Sequence, residues 1–182
     1  LAGDVNHPCI RACVEQDRRL RSQGSEPVYY LIGRKSVGYF QFHKLKATAE
    51  WTSDTDTPHF STTEQISDTL LEAFHLGGEL GGVDEIHLVY NRFISMMTQG
   101  PETVRLLPLE VVEATDEPSA SSAVYPLYEF EPEAETVLDA LLPVYIQSRV
   151  FNALLQSSAA KHAATQKAMK SASDNADKLI TD

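Results

Sequence analysis

The last fifty residues constrain the fold of this chain more than any other feature of its sequence. Between Glu133 and Asp182 the only residue that normally breaks a helix is Pro143. An unbroken helix of this length would extend about 75 Å, at about 1.5 Å per residue, which is far longer than a helix inside a compact domain. Because Pro143 has no N–H to donate, we expect it to kink or restart the helix.

The two halves of this predicted helix differ in the size of their apolar side chains. The first half carries large ones, at Leu138, Leu141, Leu142, Tyr145, Phe151, Leu154 and Leu155. The second half carries mostly small ones, at Ala159, Ala163, Ala168, Ala172 and Ala176, with Met169, Leu179 and Ile180. We expect the first half to pack on a sheet, and the residues beyond Leu155 to lose much of their support.

A helix face lined by alanine allows a second helix to approach closely, but it buries too little area to hold a protruding helix in place. No other segment of the sequence is long enough to be that second helix. The tail is therefore expected to be half of a coiled coil whose partner helix lies elsewhere, and self-association of two tails would also supply one. A solvent-exposed single helix or a frayed tail is the alternative.

The residues before this helix alternate between helical and strand patterns. Helical patterns begin at Asn6-His7-Pro8, cover 36–42, and run from a capping box at Ser61 or Thr62 to Leu76. Strand patterns cover 28–32, 45–51, 86–90 and 103–112, and the glycine-rich residues 77–82 are expected to be a flexible connection. This alternation predicts an α/β fold with a largely parallel sheet. Since a parallel unit normally has a strand before its first helix, we expect the natural domain to start upstream of Leu1.

Composition and charge exclude several classes of protein. The residues are 42% hydrophobic and 23% charged, as in globular proteins, and no run of about 20 apolar residues could span a membrane. A net charge of −11 argues against nucleic acid as the main partner. The charge is uneven, because residues 50–152 carry nineteen acidic and three basic side chains. Two cysteines do not make a disulfide framework, so a reducing compartment is the default.

No motif in the sequence assembles a catalytic or metal-binding centre. Gly33-Arg34-Lys35-Ser36 follows a strand, but it lacks the second glycine and the Gly-Lys pair of a phosphate-binding loop. Cys9 and Cys13 lie four apart on a predicted helix, but His7 is the only nearby further ligand, and structural zinc needs four. Two small core thiols are the favoured interpretation. We therefore predict no catalytic residue, no cofactor and no metal site.

Several motifs occur in one order along the whole chain. They are IGRK at 32–35, VYNRF at 89–93, LLPL at 106–109, YEFEP at 128–132, LDALL at 138–142, ALLQS at 153–157 and AMKSASDNA at 168–176. In this order they closely resemble the gamma subunit of F-type ATP synthases. Leu1-Ala2-Gly3 also resembles the end of that family's Asp-Arg-Gly-Leu-Cys-Gly segment, with Ala2 in place of Cys. The resemblance covers nearly all of the chain.

The resemblance implies two domains. Residues 1–131 would be a Rossmann-like foot domain, and residues 132–182 would be an incomplete C-terminal coiled-coil helix. The partner helix and the first strand would then be N-terminal segments upstream of Leu1, and the family's last helix continues past the position of Asp182. In this family the two terminal helices form an antiparallel coiled coil inside the ring of catalytic subunits.

The resemblance also implies a function without catalysis on this chain. The chain would be the noncatalytic rotor, or central stalk, that couples transmembrane proton flow to ATP synthesis or hydrolysis by rotation. Its partners would be the alpha and beta catalytic subunits, the epsilon subunit and the membrane c-ring. Its place would be peripheral, at the cytoplasmic face of the bacterial cell membrane, with no segment inserted in the bilayer.

Two sets of partner contacts follow from the resemblance. Phe130 and Glu131 match the family's aromatic-Glu-Pro turn near the c-ring, and a helix-start turn with an acidic cap is the alternative. Gln156, Lys161 and Thr165 lie in the stretch that faces the catalytic ring in the family. That stretch more often has Glu, Glu and Arg at these three positions, so Lys161 is a reversal of charge.

A function of another class stays open beside the rotor. The chain would then be a stand-alone α/β module that binds a nucleotide or metabolite and whose tail helix self-associates. Binding to the epsilon subunit without any nucleotide binding favours the rotor. A shift in melting temperature with added ATP, and none with epsilon, favours the module.

Overall fold

The structure, a computed structural model, describes residues 6–53, 56–109 and 134–181. These residues form four α-helices, one short 3-10 helix (Gly78–Leu80) and four strands. The helices are α1 (Asn6–Ser22), α2 (Arg34–Phe42), α3 (Phe60–Leu76) and α4 (Ala134–Thr181). The strands are β1 (Tyr30–Ile32), β2 (Ala49–Trp51), β3 (Ile86–Phe93) and β4 (Gln99–Leu107). The predicted α/β class with a long C-terminal helix is confirmed.

The described strands form two separate pairs. β1 and β2 are parallel and joined through α2, with Leu31 opposite Glu50. β3 and β4 are antiparallel, from Ile86 opposite Leu107 to Phe93 opposite Gln99. A short turn joins β3 to β4, and so short a connection requires antiparallel strands, whereas the longer connection through α2 allows parallel ones. Parallel pairing is thus found in the first pair, and the longer second pair is antiparallel.

A single cluster of buried side chains joins α3, the β3–β4 pair and the first half of α4. Its buried members are Ile66, Leu70, Leu71, Ile86, Leu106, Leu107, Ile146 and Val150. A second, smaller cluster of Leu31, Val37 and Phe40 lies between β1 and α2. The large apolar residues of the first half of α4 therefore pack on the sheet, as the sequence predicted.

The glycine-rich link at residues 77–82 is a bonded turn, so the prediction of a flexible connection was wrong. The Gly82 N–H donates to the Gly77 carbonyl at 2.7 Å, and the Val83 N–H donates to the Ala73 carbonyl at 2.9 Å. A Cβ on Gly82 would lie 2.1 Å from the Ala73 carbonyl oxygen. Glycine is needed there because the turn folds back against the end of α3.

Two helix boundaries also differ from the sequence prediction. α3 begins at Phe60 after His59, which makes no side-chain capping hydrogen bond, so the predicted capping boxes at Ser61 and Thr62 are wrong. α4 continues through Pro143, so the prediction of a restart there was wrong, whereas the kink stays a prediction. Only one backbone hydrogen bond is lost at an internal proline. Packing of the turns that follow, at Ile146 and Val150, outweighs that loss.

Candidate partner interface

The first half of α4 is held by the domain on its buried side. Ile146, Val150 and Ala153 are buried, and α4 packs mainly against β3 and α3. Burial continues to Ala160 and Ala163, past the predicted end of support at Leu155. After residue 165, all but one of the described side chains are exposed. The supported part of the helix is therefore about ten residues longer than the sequence predicted.

Two of the α4 side chains in this region bind the backbone of β3. The Gln156 Oε1 accepts a hydrogen bond from the Phe93 N–H at 3.0 Å. The Ser157 hydroxyl oxygen accepts one from the Asn91 N–H at 3.2 Å. Residues 91 and 93 lie two apart, so both N–H groups point to the same edge of the strand. α4 thus supplies hydrogen-bond acceptors to backbone N–H groups of β3 that do not pair with β4.

Three further side chains of α4 meet a single residue, Asp56. The Ser158 hydroxyl donates to the Asp56 carbonyl at 2.6 Å, and the His162 Nε2 lies 3.2 Å from the same oxygen. The Lys161 ammonium pairs with the Asp56 carboxylate. This hydrogen bond from Lys161 is the main reason that the pKa of Asp56 is lowered from its ordinary value of 3.8.

Each of the three residues that the sequence suggested for contact with a catalytic ring has a partner within its own chain. Gln156 binds β3, Lys161 binds Asp56, and the Thr165 hydroxyl donates to the Lys161 carbonyl at 2.9 Å inside the helix. All three are half-buried by their own chain. Their contact with another subunit stays a prediction. Phe130 and Glu131 lie outside the described residues, so their predicted contact with a c-ring stays a prediction too.

An apolar stripe runs along the outer side of α4 and faces solvent. We call it the outer stripe; it consists of Leu138, Leu141, Leu155, Met169 and Ile180, which are 62%, 54%, 44%, 69% and 82% exposed. Leu141, Leu155 and Met169 are spaced by fourteen residues, which is two heptads, so they lie on one side of a coiled-coil helix. The predicted alanine face is split, because Ala163 is buried against the domain while Ala159, Ala172 and Ala176 are exposed.

A cavity of about 220 Å³ lies between β1 and β3. Consecutive residues line it on both sides, 28–32 from β1 and its approach and 85–89 from β3. Successive side chains of a strand point to opposite faces of the sheet. A cavity on one face would contact only every second residue, so a cavity lined by consecutive residues runs along the edge of the strand. β1 pairs with β2 and β3 pairs with β4 on their other edges. The cavity therefore separates two strand edges that no other strand pairs within the described residues.

Side chains of α1 close one face of the cavity, including Cys9 and Cys13. Burial is the first cause that raises the pKa of both thiols, to about 11 for Cys9. A protonated thiol is a poor nucleophile and a poor metal ligand. Within residues 6–53, 56–109 and 134–181, no three His, Cys, Asp or Glu side chains form a group that could hold a metal ion.

The acidic side chains at the cavity have partners within the chain: the Arg21 Nε donates to the Asp17 Oδ1 at 3.0 Å, and the Glu85 Oε2 lies 3.0 Å from the His87 Nε2. Asp17 and Glu85 are among its lining residues, and no Lys or Arg is among the described side chains that line it. None of the described helices combines the length and the apolar character that a membrane-spanning segment requires.

Comparisons with known proteins agree with the long helix on an α/β domain. The family described as ATP synthase matches the chain over residues 1–182. The chain therefore belongs to the ATP synthase family. The curated relatives that it matches within that family are gamma chains. One from Leifsonia xyli subsp. xyli is 58% identical over 182 residues, and one from Clavibacter sepedonicus is 59% identical over 181 residues.

These alignments cover the whole of this chain and 60% of each relative. The gamma chain from Streptomyces avermitilis is 48% identical, over 99% of this chain and 59% of its own length. The chain thus spans about three fifths of the curated relatives it matches. A solved structure of the central stalk/c-ring of the Tetrahymena thermophila mitochondrial ATP synthase shares the fold, with a TM-score of 0.51 and 24% identity. That match covers 78% of this chain and 58% of the other.

The sequence analysis missed Asp56 and the two serines that bind across to the domain. Asp56 lies in the loop before α3, about a hundred residues from Ser158. Nothing in the local pattern of a polar loop shows which distant helix it will meet. The adjacent residues Ser157 and Ser158 were the one sequence signal for these contacts. Two neighbouring hydroxyls interrupt the apolar side of the helix at a point where the helix is otherwise suited to packing.

Proposed function

We propose that this chain is part of a gamma chain that serves as the noncatalytic rotor of an F-type ATP synthase. The single observation that carries the proposal is the outer stripe on α4. A helix of 48 residues whose outer side exposes apolar side chains from Leu138 to Ile180 needs a long partner along the same length. Membership of the ATP synthase family and the similarity to gamma chains support this proposal.

The partner of the outer stripe is proposed to be a helix of the longer chain. The curated relatives are longer than this chain by about two fifths of their length, so they have enough residues for one more long helix. Leu141, Leu155 and Met169 would be the knobs of an antiparallel coiled coil. Ala159 and Ala176, which lie on the exposed side of α4, would let the two backbones approach closely.

The cavity between β1 and β3 is proposed to take a β-strand of the same longer chain. Each bordering edge offers unpaired backbone groups, which a strand inserted between them would satisfy. The inserted strand would join the two strand pairs into one sheet and would place a strand ahead of α1. This agrees with the expectation, drawn from the order of elements, that the domain starts upstream of Leu1.

The proposed mechanism needs no bond chemistry on this chain. Rotation driven by proton flow would turn α4, and its uneven surface would contact each catalytic subunit differently at each angle. A contact that differs between two conformers shifts the balance between them by the difference in free energy. Lys161 and Thr165 are proposed to contribute to that surface with their exposed portions, while Gln156 mainly holds the helix to β3.

The remaining contacts of the rotor are proposed from the resemblance. The foot domain would lie against the epsilon subunit and the c-ring at the cytoplasmic face of the bacterial membrane. Phe130 and Glu131 would make the contact with the c-ring. The division between foot domain and shaft is proposed at residues 131–132, with the first half of α4 packed on the foot.

Reconstitution tests the rotor proposal directly. The complete gamma chain that carries these 182 residues is combined with alpha and beta subunits, and the complex is immobilised with a marker on the gamma chain. We expect copurification and rotation of the marker that requires ATP. A matched pair of variants, Leu155→Glu in the outer stripe and Lys167→Glu on the neighbouring surface, should differ, with assembly lost only in the first. Assembly and rotation that do not need this chain would overturn the proposal.

The alternative, a nucleotide- or metabolite-binding module, is tested on the same material. Thermal unfolding is followed with and without ATP, and with and without the epsilon subunit. On the rotor proposal we expect a higher melting temperature with epsilon and no change with ATP.

A further inference from the structure

We propose that Asp56 fixes the angle of α4 about its own axis and marks the end of the supported helix. The contacts in question are those of Ser158, Lys161 and His162 with this one residue. Their spacings of three and four residues place the three side chains on one side of the helix. Two of them meet the carbonyl oxygen of Asp56 and the third meets its carboxylate, so they approach it from different positions.

Apolar packing alone leaves the angle of α4 weakly defined at this level. The buried apolar residues there are Ala160 and Ala163. Helices lock through ridges of side chains that fit grooves on their neighbours, and alanine makes only a shallow ridge. In the preceding turns, Ile146 and Val150 supply larger ridges. The polar contacts with Asp56 begin where those large side chains end.

A small rotation would break all three contacts. Side-chain tips lie about 5 Å from the axis of a helix, so a turn of about 30° moves them by roughly 2.5 Å. Hydrogen bonds of the lengths seen here do not survive a displacement of that size. Gln156 and Ser157 bind β3 on a neighbouring side of the helix. The helix is therefore held on two sides within seven residues.

Position along the chain adds a second role. Thr165 is the last of the consecutive half-buried residues in this region, and beyond it every described side chain except Ala168 is exposed. Asp56 thus holds the last supported turns before the helix leaves the domain. If the proposed rotor function holds, torque between the foot domain and the protruding part of α4 passes through these contacts. Only this claim about torque rests on the proposed function.

Hydrogen exchange tests the inference on the 182-residue chain. The double variant Ser158→Ala with Lys161→Met removes two of the contacts, while Ser171→Ala with Lys167→Met makes the same changes on the exposed part of α4. We expect exchange of the amides at residues 157–165 to rise about tenfold in the first variant only. Amides at residues 144–153 should not change in either. Equal exchange in the two double variants would overturn the inference.

A charge exchange separates a specific contact from a general loss of stability. Asp56→Lys places two ammonium groups together and should raise exchange at residues 157–165. Adding Lys161→Asp restores an opposite pair and should return the rate toward that of the unchanged chain. Asp56 is exposed, so these variants leave the core intact. They therefore test the inference even if replacement of the buried Ser158 prevents folding. Failure of the second change to restore protection would show that the ion pair does not hold the helix.

The rotor step has its own readout. In the reconstituted complex, Ser158→Ala, which leaves the proposed ring contact Lys161 in place, should lower ATP synthesis at limiting proton gradient about twofold or more, relative to the control Ser171→Ala. If hydrogen exchange at residues 157–165 rises but ATP synthesis does not change, Asp56 holds the helix in place and its proposed part in transmitting torque is overturned. A complex that does not rotate with the unchanged chain would overturn the rotor function instead.

Discussion

The two halves of α4 make a single helix with opposite surroundings. Ile146 in the first half is 0% exposed, and Ile180 in the second is 82% exposed. Both halves are rich in residues that favour helix, so intrinsic preference does not separate them. The first half is held by a sheet, a neighbouring helix and the loop residue Asp56, whereas the second half contacts little within the described chain. Most of the stability of a helix in a protein comes from the surface that it buries.

The comparison shows how one continuous helix can serve two purposes. Large residues anchor its first half to the α/β domain, and the small exposed residues of its second half are proposed to allow close contact with another helix. The change between the two occurs near Thr165, ten residues beyond the point at which large side chains give way to alanine. Within that extension Ala160 and Ala163 are buried against the domain, and the polar contacts with Asp56 add to this packing.

The largest expected difference is in hydrogen exchange along α4. In a monomeric sample, amides at residues 146–160 should exchange at least about a hundredfold more slowly than those at residues 168–180, because an unsupported helix end frays. Mass spectrometry of peptic peptides measures both segments in one sample, and sedimentation establishes the monomer. Slow exchange at residues 168–180 in that monomer would contradict the comparison. Slow exchange in a dimer would mean that a second tail covers the outer stripe.

A matched pair of isoleucines separates burial from helix preference. Ile146→Ala should lower the free energy of unfolding by about 2–5 kcal/mol, since it removes buried methylene groups and leaves a cavity. Ile180→Ala should change it by less than about 0.5 kcal/mol. Urea unfolding followed by circular dichroism measures both. Equal effects of the two substitutions would mean that the second half of α4 is packed after all.

Two alanines test the same contrast with added volume. Ala160→Leu inserts three carbon atoms at a fully buried site and should cost about 1–3 kcal/mol. Ala176→Leu is on the exposed part of α4 and should be neutral within about 0.5 kcal/mol, because alanine and leucine have similar helix propensities. The urea midpoints of the two variants give the answer. A neutral Ala160→Leu would show that α4 is loosely held there.

The smallest expected effect is a shift in the titration of Asp56. Lys161→Met should raise the pKa of Asp56 toward its ordinary value of 3.8, since the hydrogen bond from Lys161 is the main cause of the lowering. Lys167→Met should leave it unchanged. Because the folded-state pKa is lowered, the stabilisation by this pair is present above pH 3.8 and is lost as pH falls through the folded-state pKa. Carboxyl-carbon NMR measures the midpoint, and an identical midpoint in both variants would show that the pair does not form in solution.

Local patterns predicted much of the fold. The helix at 60–76, the strand that begins at Ile86, and the long C-terminal helix all follow from periodicity and from the scarcity of glycine and proline. The bonded turn at Gly82 did not follow, because its need for glycine arises from a carbonyl of α3 that only the folded chain brings near. The same holds for helix continuation through Pro143, which depends on the packing of later turns.

The candidate interface was predicted in part. The change from large to small apolar residues predicted which half of α4 packs on the domain. The family resemblance suggested Gln156, Lys161 and Thr165 as contacts with the catalytic ring. The sequence did not show that Gln156 would bind β3 or that Lys161 would bind Asp56. Both contacts join residues that are more than sixty positions apart, and no local pattern encodes such a pair.

The sequence by itself determined that the chain is α/β, that it ends in a long helix, and that the helix changes character near Leu155. These features follow from periodicity and side-chain size, which act over a few residues. Only the tertiary structure decided where support for the helix ends, which of its alanines are buried, and that two edges, unpaired among the described strands, face each other across a cavity. Those features depend on distances between segments remote in sequence, because burial and hydrogen bonding are properties of the surroundings that the fold creates.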